Sequence, residues 1–253
     1  MRSFGNLVTN EWLKMFKKKS FFVPYALVAA MIMFVAYMLN SFAGEDSSTG
    51  FEFAKMVVAS KGMGQILTML AIVVTAGSVA KEHSLGTIKL LLIRAQSRTT
   101  ILASKYVVIL LYILSLTAFA LIVGITTGVI MFGTGEGSAN LQDVLVAAGY
   151  GLIYTLMYVT FTFAVGIVTK STGPAIGIGM FMLVIESLVT QLLASYAWAK
   201  YLPFFNVDLS IYSDGLGSMI PGMSLTFSSI VLAVYLLLFL VTGFVTFKKR
   251  DVA

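Results

Sequence analysis

The chain has no cysteine and a single histidine among its 253 residues. It therefore carries no disulfide, thiolate metal site, cysteine nucleophile or histidine cluster for zinc, and no metal site is expected. Charge is scarce too, since Asp, Glu, Lys and Arg make up 11% of the residues against about 25% in a soluble domain. With 58% apolar residues and a mean hydropathy of +0.95, the 17 basic and 11 acidic side chains cannot cover a water-exposed surface. The solvent this composition suits is lipid, which excludes a cytosolic enzyme. A net charge of +6 would suit nucleic acid only as a basic patch on a soluble face, and here the bases flank apolar runs. No nucleic-acid partner is expected. The chain also lacks a visible repeat and any Pro-, Ser- or charge-rich linker that would divide it.

What is present is six long apolar runs, at about 21–42, 57–80, 106–132, 144–168, 174–197 and 225–247. Each reaches the roughly 20 residues that a helix needs to cross the hydrocarbon. The fold class expected is an all-α membrane protein, with 1–253 as one transmembrane domain and no nucleotide-binding domain. The first run is too long, and too poorly followed by a small-residue cleavage site, to be a removable signal peptide. Charge sorts the connecting segments: of the 17 bases, all but Lys55, Lys61 and Lys200 fall on one side. Glu45, Asp46, Glu52, Glu136, Asp143, Asp208 and Asp214 fall on the other. Because cytoplasmic loops are rich in Lys and Arg, both termini are expected in the cytoplasm. The connections are too short for an extramembrane catalytic domain, so no catalytic residue is assigned.

Before the first run, Phe4, Leu7, Val8, Trp12, Met15 and Phe16 share one face of a helix expected to lie on the membrane. The Lys17-Lys18-Lys19 run that follows suits anionic headgroups and equally serves as an orientation signal. Between the second and third runs, Leu85, Ile88, Leu91 and Leu92 form the apolar face of a short helix whose start Ser84 or Thr87 can cap. An apolar face in a cytoplasmic loop calls for a partner protein. Glu82 falls at the C-terminal end of the second run, where the helix dipole disfavours an anion. Lys105 or Arg98 is its expected partner, unless it is a solvated surface glutamate.

Glu186 is the one acid well inside an expected span, and Thr190, four residues on, shares its face. A place on a transport pathway, a buried structural hydrogen bond and a position at a span's edge all remain open for it. The stretch 198–224 is too apolar and aromatic for a free loop, and Pro203 and Pro221 interrupt helices there. It is expected either to dip into the outer leaflet or to form an interfacial belt. Gly124/Gly128 and Gly173/Gly177, at small-xxx-small spacing, allow close helix approach, within the chain or between copies.

Glu82, Gly86-Thr87, Ser97-Arg98, Ile101 and Ser104-Lys105 together resemble the signature of ABC-2-type exporter permeases, the group that includes bacitracin-type and lantibiotic-immunity permeases. The likeness runs through the amphipathic first helix, the six spans and the closing Lys249-Arg250-Asp251; Gln96 departs from it, standing where the family commonly has a proline. The resemblance implies a permease that docks a separate ATP-binding subunit through Glu82, Leu85, Gly86, Thr87, Ile88, Leu91, Leu92, Ser97, Arg98 and Lys105. ATP and Mg would be bound by that subunit, with no cofactor held by this chain. Consistently, no Gly-x-x-x-x-Gly-Lys-Ser/Thr phosphate loop occurs anywhere in it. A second permease copy, identical or related, is implied as a further partner. The place implied is a bacterial plasma membrane, and the cargo an amphipathic or hydrophobic solute such as a peptide antibiotic.

Two other classes compete. A stand-alone secondary transporter or channel would call for several intramembrane charges or inverted repeats, and the sequence offers one charge and no repeat. An intramembrane enzyme would have to build its chemistry from His83, Glu186 and scattered hydroxyls.

Overall fold

The structure is a computed structural model and describes residues 4–42, 49–84, 97–134, 137, 139–213 and 220–249, with 79–84 as backbone. Its helices are α1 (Phe4–Phe16), α2 (Val23–Phe42), α3 (Gly50–Val58), α4 (Gln65–Ser84), α5 (Arg98–Phe132), α6 (Leu141–Thr169), α7 (Thr172–Leu193), α8 (Pro203–Asn206) and α9 (Leu225–Lys249). No strand occurs among the described residues. In lipid each backbone N–H and C=O must find its partner within the segment, which is what a helix provides. Among the described residues, five stretches are long and apolar enough to cross a membrane: Lys19–Phe42, α5, α6, α7 and α9.

The second expected span needs correction. Instead of one helix over 57–80, the chain forms α3, breaks, and restarts as α4, the two pieces bent by 42°. The break follows from two glycines. Gly62 takes a left-handed φ of 68°, which side chains with a Cβ resist. At Gly64 a Cβ would stand 1.9 Å from the Ala59 carbonyl oxygen. Lys61 consequently lies between two helices. The fifth expected span, α7, is also shorter than expected, ending at Leu193 rather than 197 and followed by a 3-10 turn over Ala197–Tyr201. The third expected span, α5, is longer, with 35 residues from Arg98 to Phe132. Ser97 caps its start by accepting from the Thr100 N–H at 3.1 Å.

The core forms around α6, which packs on α3, α4, α7 and α9. Of its most apolar stretch 61% is buried, against 22% for α7 and 11% for α9. Those outer helices present Phe181, Val184, Leu188, Ile230, Leu237 and Val241 on open faces, tenable in lipid and not in water. The short α3 buries Phe53, Ala54, Val57 and Val58 between α5 and α6. Close approach makes this wedge fit: the Gly50 N–H donates to the Gly133 carbonyl at 3.0 Å, and a Cβ on Gly128 would stand 2.4 Å from the Gly50 oxygen. Gly124 and Gly128 thus serve packing within the chain, whereas Gly173 and Gly177 have nothing within 4 Å of a Cβ.

Candidate functional site

Two clusters of ion-paired, largely buried side chains stand out among the described residues. Where the α3–α4 break meets α7 and the segment after it, the Glu186 side chain is 4% exposed. Tyr154 and Tyr158, one turn apart on α6 and so on one face, donate their hydroxyls to Glu186 Oε2 at 2.6 and 2.5 Å. Hydrogen bonds to an ionised acceptor are about twice as strong as neutral ones and offset much of the loss of hydration. The other oxygen, Oε1, faces Lys61 Nζ at 3.5 Å. Lys61 Nζ also lies 3.6 Å from Asp208 Oδ2. Asp208 Oδ1 is held separately by the Ser210 N–H at 3.2 Å and its hydroxyl at 2.6 Å. Lys61 itself is half exposed. One lysine therefore bridges two carboxylates from different elements, at distances beyond a hydrogen bond.

This geometry sorts the roles left open for Glu186. It lies within α7, away from its end, and it makes buried hydrogen bonds. Thr190 does share its face, but its hydroxyl donates to the Glu186 and Ser187 carbonyls at 2.9 and 3.0 Å and so bonds its own helix rather than the carboxylate. Beside the cluster, Met157, Phe161, Met182, Phe204 and Phe239 line a narrow cleft that encloses about 20 Å³, room for about one water. Tyr158 and Val207 belong to the same walls. The cleft walls expose no polar surface, so the Tyr158 hydroxyl is turned away from the cleft and toward Glu186.

In the other cluster, Lys105 in α5 is buried and its Nζ lies 2.8 Å from Glu11 Oε2. Glu11 also pairs with Lys14, one turn along α1. Burial raises the Glu11 carboxyl, while the charges and hydrogen bonds of Lys105 and Lys14 lower it; the ammonium groups win and hold it below its ordinary value of 4.5. The side chains of α1 explain the docking. Leu7, Val8, Trp12 and Met15 are half-buried, with Trp12 and Met15 against the core, and Glu11 falls in the middle of that stripe. Phe4 and Phe16 remain exposed. Part of the face expected on the membrane is therefore turned onto α5.

Of the residues singled out for coupling, Ser97, Arg98 and Lys105 form the start of α5, with Ile101 and Ser104 buried beside them. Leu85, Gly86, Thr87, Ile88, Leu91 and Leu92, and the side chain of Glu82, lie outside the described residues. Sequence reasoning passed over Glu11, Lys61, Tyr154, Tyr158 and Asp208. Three of these left a signal: Glu11 interrupts an apolar stripe, and Tyr154 and Tyr158 stand at i, i+4 within a long apolar run. Lys61 and Asp208, far apart along the chain, left none.

Residues 16–253 match a family described as "Protein of unknown function (DUF2705)". The chain is 31% identical to "Uncharacterized protein YhcI" of Bacillus subtilis (strain 168), over 98% of this chain and 99% of that one. It is 27% identical to "Uncharacterized membrane protein YdbK" of the same organism, over 95% of this chain and 99% of the relative. Taken with the apolar helices and their open faces, these likenesses identify the chain as a multi-pass, all-helical membrane protein that belongs to the DUF2705 family.

Proposed function

We propose that this chain is the membrane-spanning permease subunit of an ATP-binding cassette exporter, moving an amphipathic or hydrophobic solute out of a bacterial cell. A separate subunit binds ATP and Mg and hydrolyses the nucleotide; a second permease copy completes the pathway. In this reading α3 and α4 together make one broken span, giving six, and both termini are cytoplasmic. The segment after α7 forms the outer re-entrant element.

The observation that supports it best is the Lys105–Glu11 pair. Lys105 belongs to the permease-like signature, and its ion pair ties α1 to the base of a 35-residue helix. A push on the neighbouring 85–97 stretch is therefore delivered to a rigid rod that runs the length of the bundle. The Glu186–Lys61–Asp208 cluster favours a second reading, a stand-alone ion-coupled transporter, because paired ionisable groups mark ion pathways in membranes.

The two separate cleanly in a pulldown. Affinity-tagged chain, extracted in mild detergent, recovers a chain that mass spectrometry shows to carry a phosphate loop, and Leu85→Glu with Ile88→Glu abolishes the recovery. Absence of any such chain from the intact bait favours the stand-alone transporter.

A further inference from the structure

We propose that Lys61 is a releasable latch: its ammonium closes the α3–α4 break onto Glu186 of α7 and Asp208 of the segment after α7, and its withdrawal lets the break part from both. The device goes beyond either transport reading, because it concerns how this region opens and not what passes.

Three separate stretches of chain meet through this one side chain, at 3.5 Å to Glu186 Oε1 and 3.6 Å to Asp208 Oδ2. The contrast with Lys105 shows what kind of joint it is. Lys105 Nζ sits 2.8 Å from Glu11 Oε2 and its side chain is 8% exposed, so breaking that pair strands a buried ammonium. The Lys61 side chain is 51% exposed, and on leaving the carboxylates its ammonium returns to surroundings it already touches. Neither acid is stranded by the departure. Glu186 keeps both tyrosine hydroxyls, and Asp208 keeps the Ser210 N–H and hydroxyl. An ion pair at a half-exposed lysine contributes little and breaks readily.

The backbone around Lys61 suits such a movement. Gly62 takes a φ of 68°, the two helices are bent by 42°, and Lys61 belongs to neither. A change of backbone angles at a few positions therefore swings the lysine without unwinding a helix. Two buried polar atoms also oppose the closed arrangement. Ser60, beside Lys61 in the chain, is 1% exposed, and its hydroxyl has no hydrogen-bond partner among the described residues. Asn206, two residues before Asp208, is fully buried. Its side-chain amide donates to the Lys200 and Leu202 carbonyls at 2.7 Å, while its Oδ1 has no partner among the described residues. Buried polar groups without partners are costly, and opening hydrates them. The attraction of one lysine for two acids is thus set against two unpaired atoms, the condition for a contact that opens and closes rather than a permanent tie.

The test exploits the absence of cysteine from the chain. Ser60→Cys supplies a single thiol where the hydroxyl makes no hydrogen bond, and uncharged N-ethylmaleimide reads how often that position opens in the full chain in phosphatidylglycerol nanodiscs. Added to Ser60→Cys, Lys61→Met or Asp208→Asn is expected to speed labelling about fivefold, which corresponds to about 1 kcal/mol and to the upper end for an ion pair of this kind. Loss of a neighbouring ammonium by itself makes a thiol less acidic and slows its alkylation, so faster labelling in Lys61→Met reports opening. Lys61→Arg, whose planar fork can engage two carboxylates at once, is expected to slow labelling below the rate of Ser60→Cys alone. Lys105→Met, which loosens the chain elsewhere, is expected to leave the rate unchanged. Equal rates with and without Lys61→Met, or the same acceleration by Lys105→Met, overturn the proposal. Should Lys61→Met fail to fold, Lys61→Arg decides: slower labelling supports the latch, and unchanged or faster labelling overturns it. Neither an ATP-binding subunit nor a solute takes part, so failure here leaves the pulldown result standing, and the reverse also holds.

Discussion

Lys105 Nζ lies 2.8 Å from Glu11 Oε2, and both side chains are largely removed from solvent. An amphipathic helix that composition would place on the membrane surface is thereby pinned to the foot of α5, the longest helix among the described residues. Removing Lys105 leaves Glu11 with only the more exposed Lys14 as counter-charge, and breaking a buried pair is costly. Lys105→Met is expected to lower stability by about 2–3 kcal/mol and to speed tryptic cleavage at the Lys17–Lys19 run. An unchanged melting curve together with unchanged cleavage would show that the pair does not hold α1.

The same pair sets a pH dependence. Glu11 titrates below its ordinary value of 4.5 in the folded chain, so the folded state binds this proton less readily than the unfolded state. The stabilisation is fully present above about pH 5 and is lost as pH falls through the lowered value. Melting temperatures of parent and Glu11→Gln should converge as the pH drops from 6 towards 3 in roughly that window. Parallel curves throughout would remove Glu11 from the account.

The α3–α5 contact allows no side chain at Gly128, where a Cβ would meet backbone rather than a flexible side-chain tip. Gly128→Ala is expected to destabilise by about 1–3 kcal/mol, in the range of overpacking. Gly177→Ala, facing open space, should be neutral or stabilising by up to about 1 kcal/mol through helix propensity. Thermal unfolding of the two variants in one detergent makes the comparison.

The tyrosine pair on Glu186 is expected to be non-additive. Tyr154→Phe or Tyr158→Phe alone leaves one hydroxyl donor and should destabilise by about 1.5 kcal/mol. The double variant leaves Oε2 with neither hydroxyl in a buried site, and its loss should exceed the sum of the two. Strict additivity in a double-mutant cycle would mean that the hydroxyls act independently.

Glu186→Gln distinguishes a transport role from a structural one, because the amide oxygen still accepts from both tyrosines. In reconstituted vesicles the variant should fold as the parent does and export at a rate reduced by about tenfold, consistent with a functional intramembrane charge. Export equal to the parent's at every pH would leave Glu186 as a structural residue alone.

The membrane class and most helices were legible because they rest on local quantities. Length and hydropathy of a run decide whether lipid tolerates it, and the runs at 21–42, 106–132, 144–168 and 225–247 reappear as α2, α5, α6 and α9 with modest changes at their ends. Hydropathy also blurred the second run, since Val57 and Val58 are as apolar as the residues of α4. A break formed by Gly62 and Gly64 leaves no mark on an average. Helical periodicity places Thr190 on the Glu186 face, yet periodicity gives the face a hydroxyl occupies and not the partner it chooses.

The sequence by itself determined that this chain lives in lipid, that it crosses it with helices, and that Glu186 is an unusual charge within them. Each follows from the free energy of placing a given side chain in hydrocarbon, a property of the residue and its near neighbours. Only the tertiary structure decided that Glu186 meets Tyr154, Tyr158 and Lys61, that Asp208 shares the lysine, and that Glu11 reaches Lys105. Those partners are separated by tens of residues along the chain, and they meet because α6 is packed on several sides while the α3–α4 break turns Lys61 toward α7.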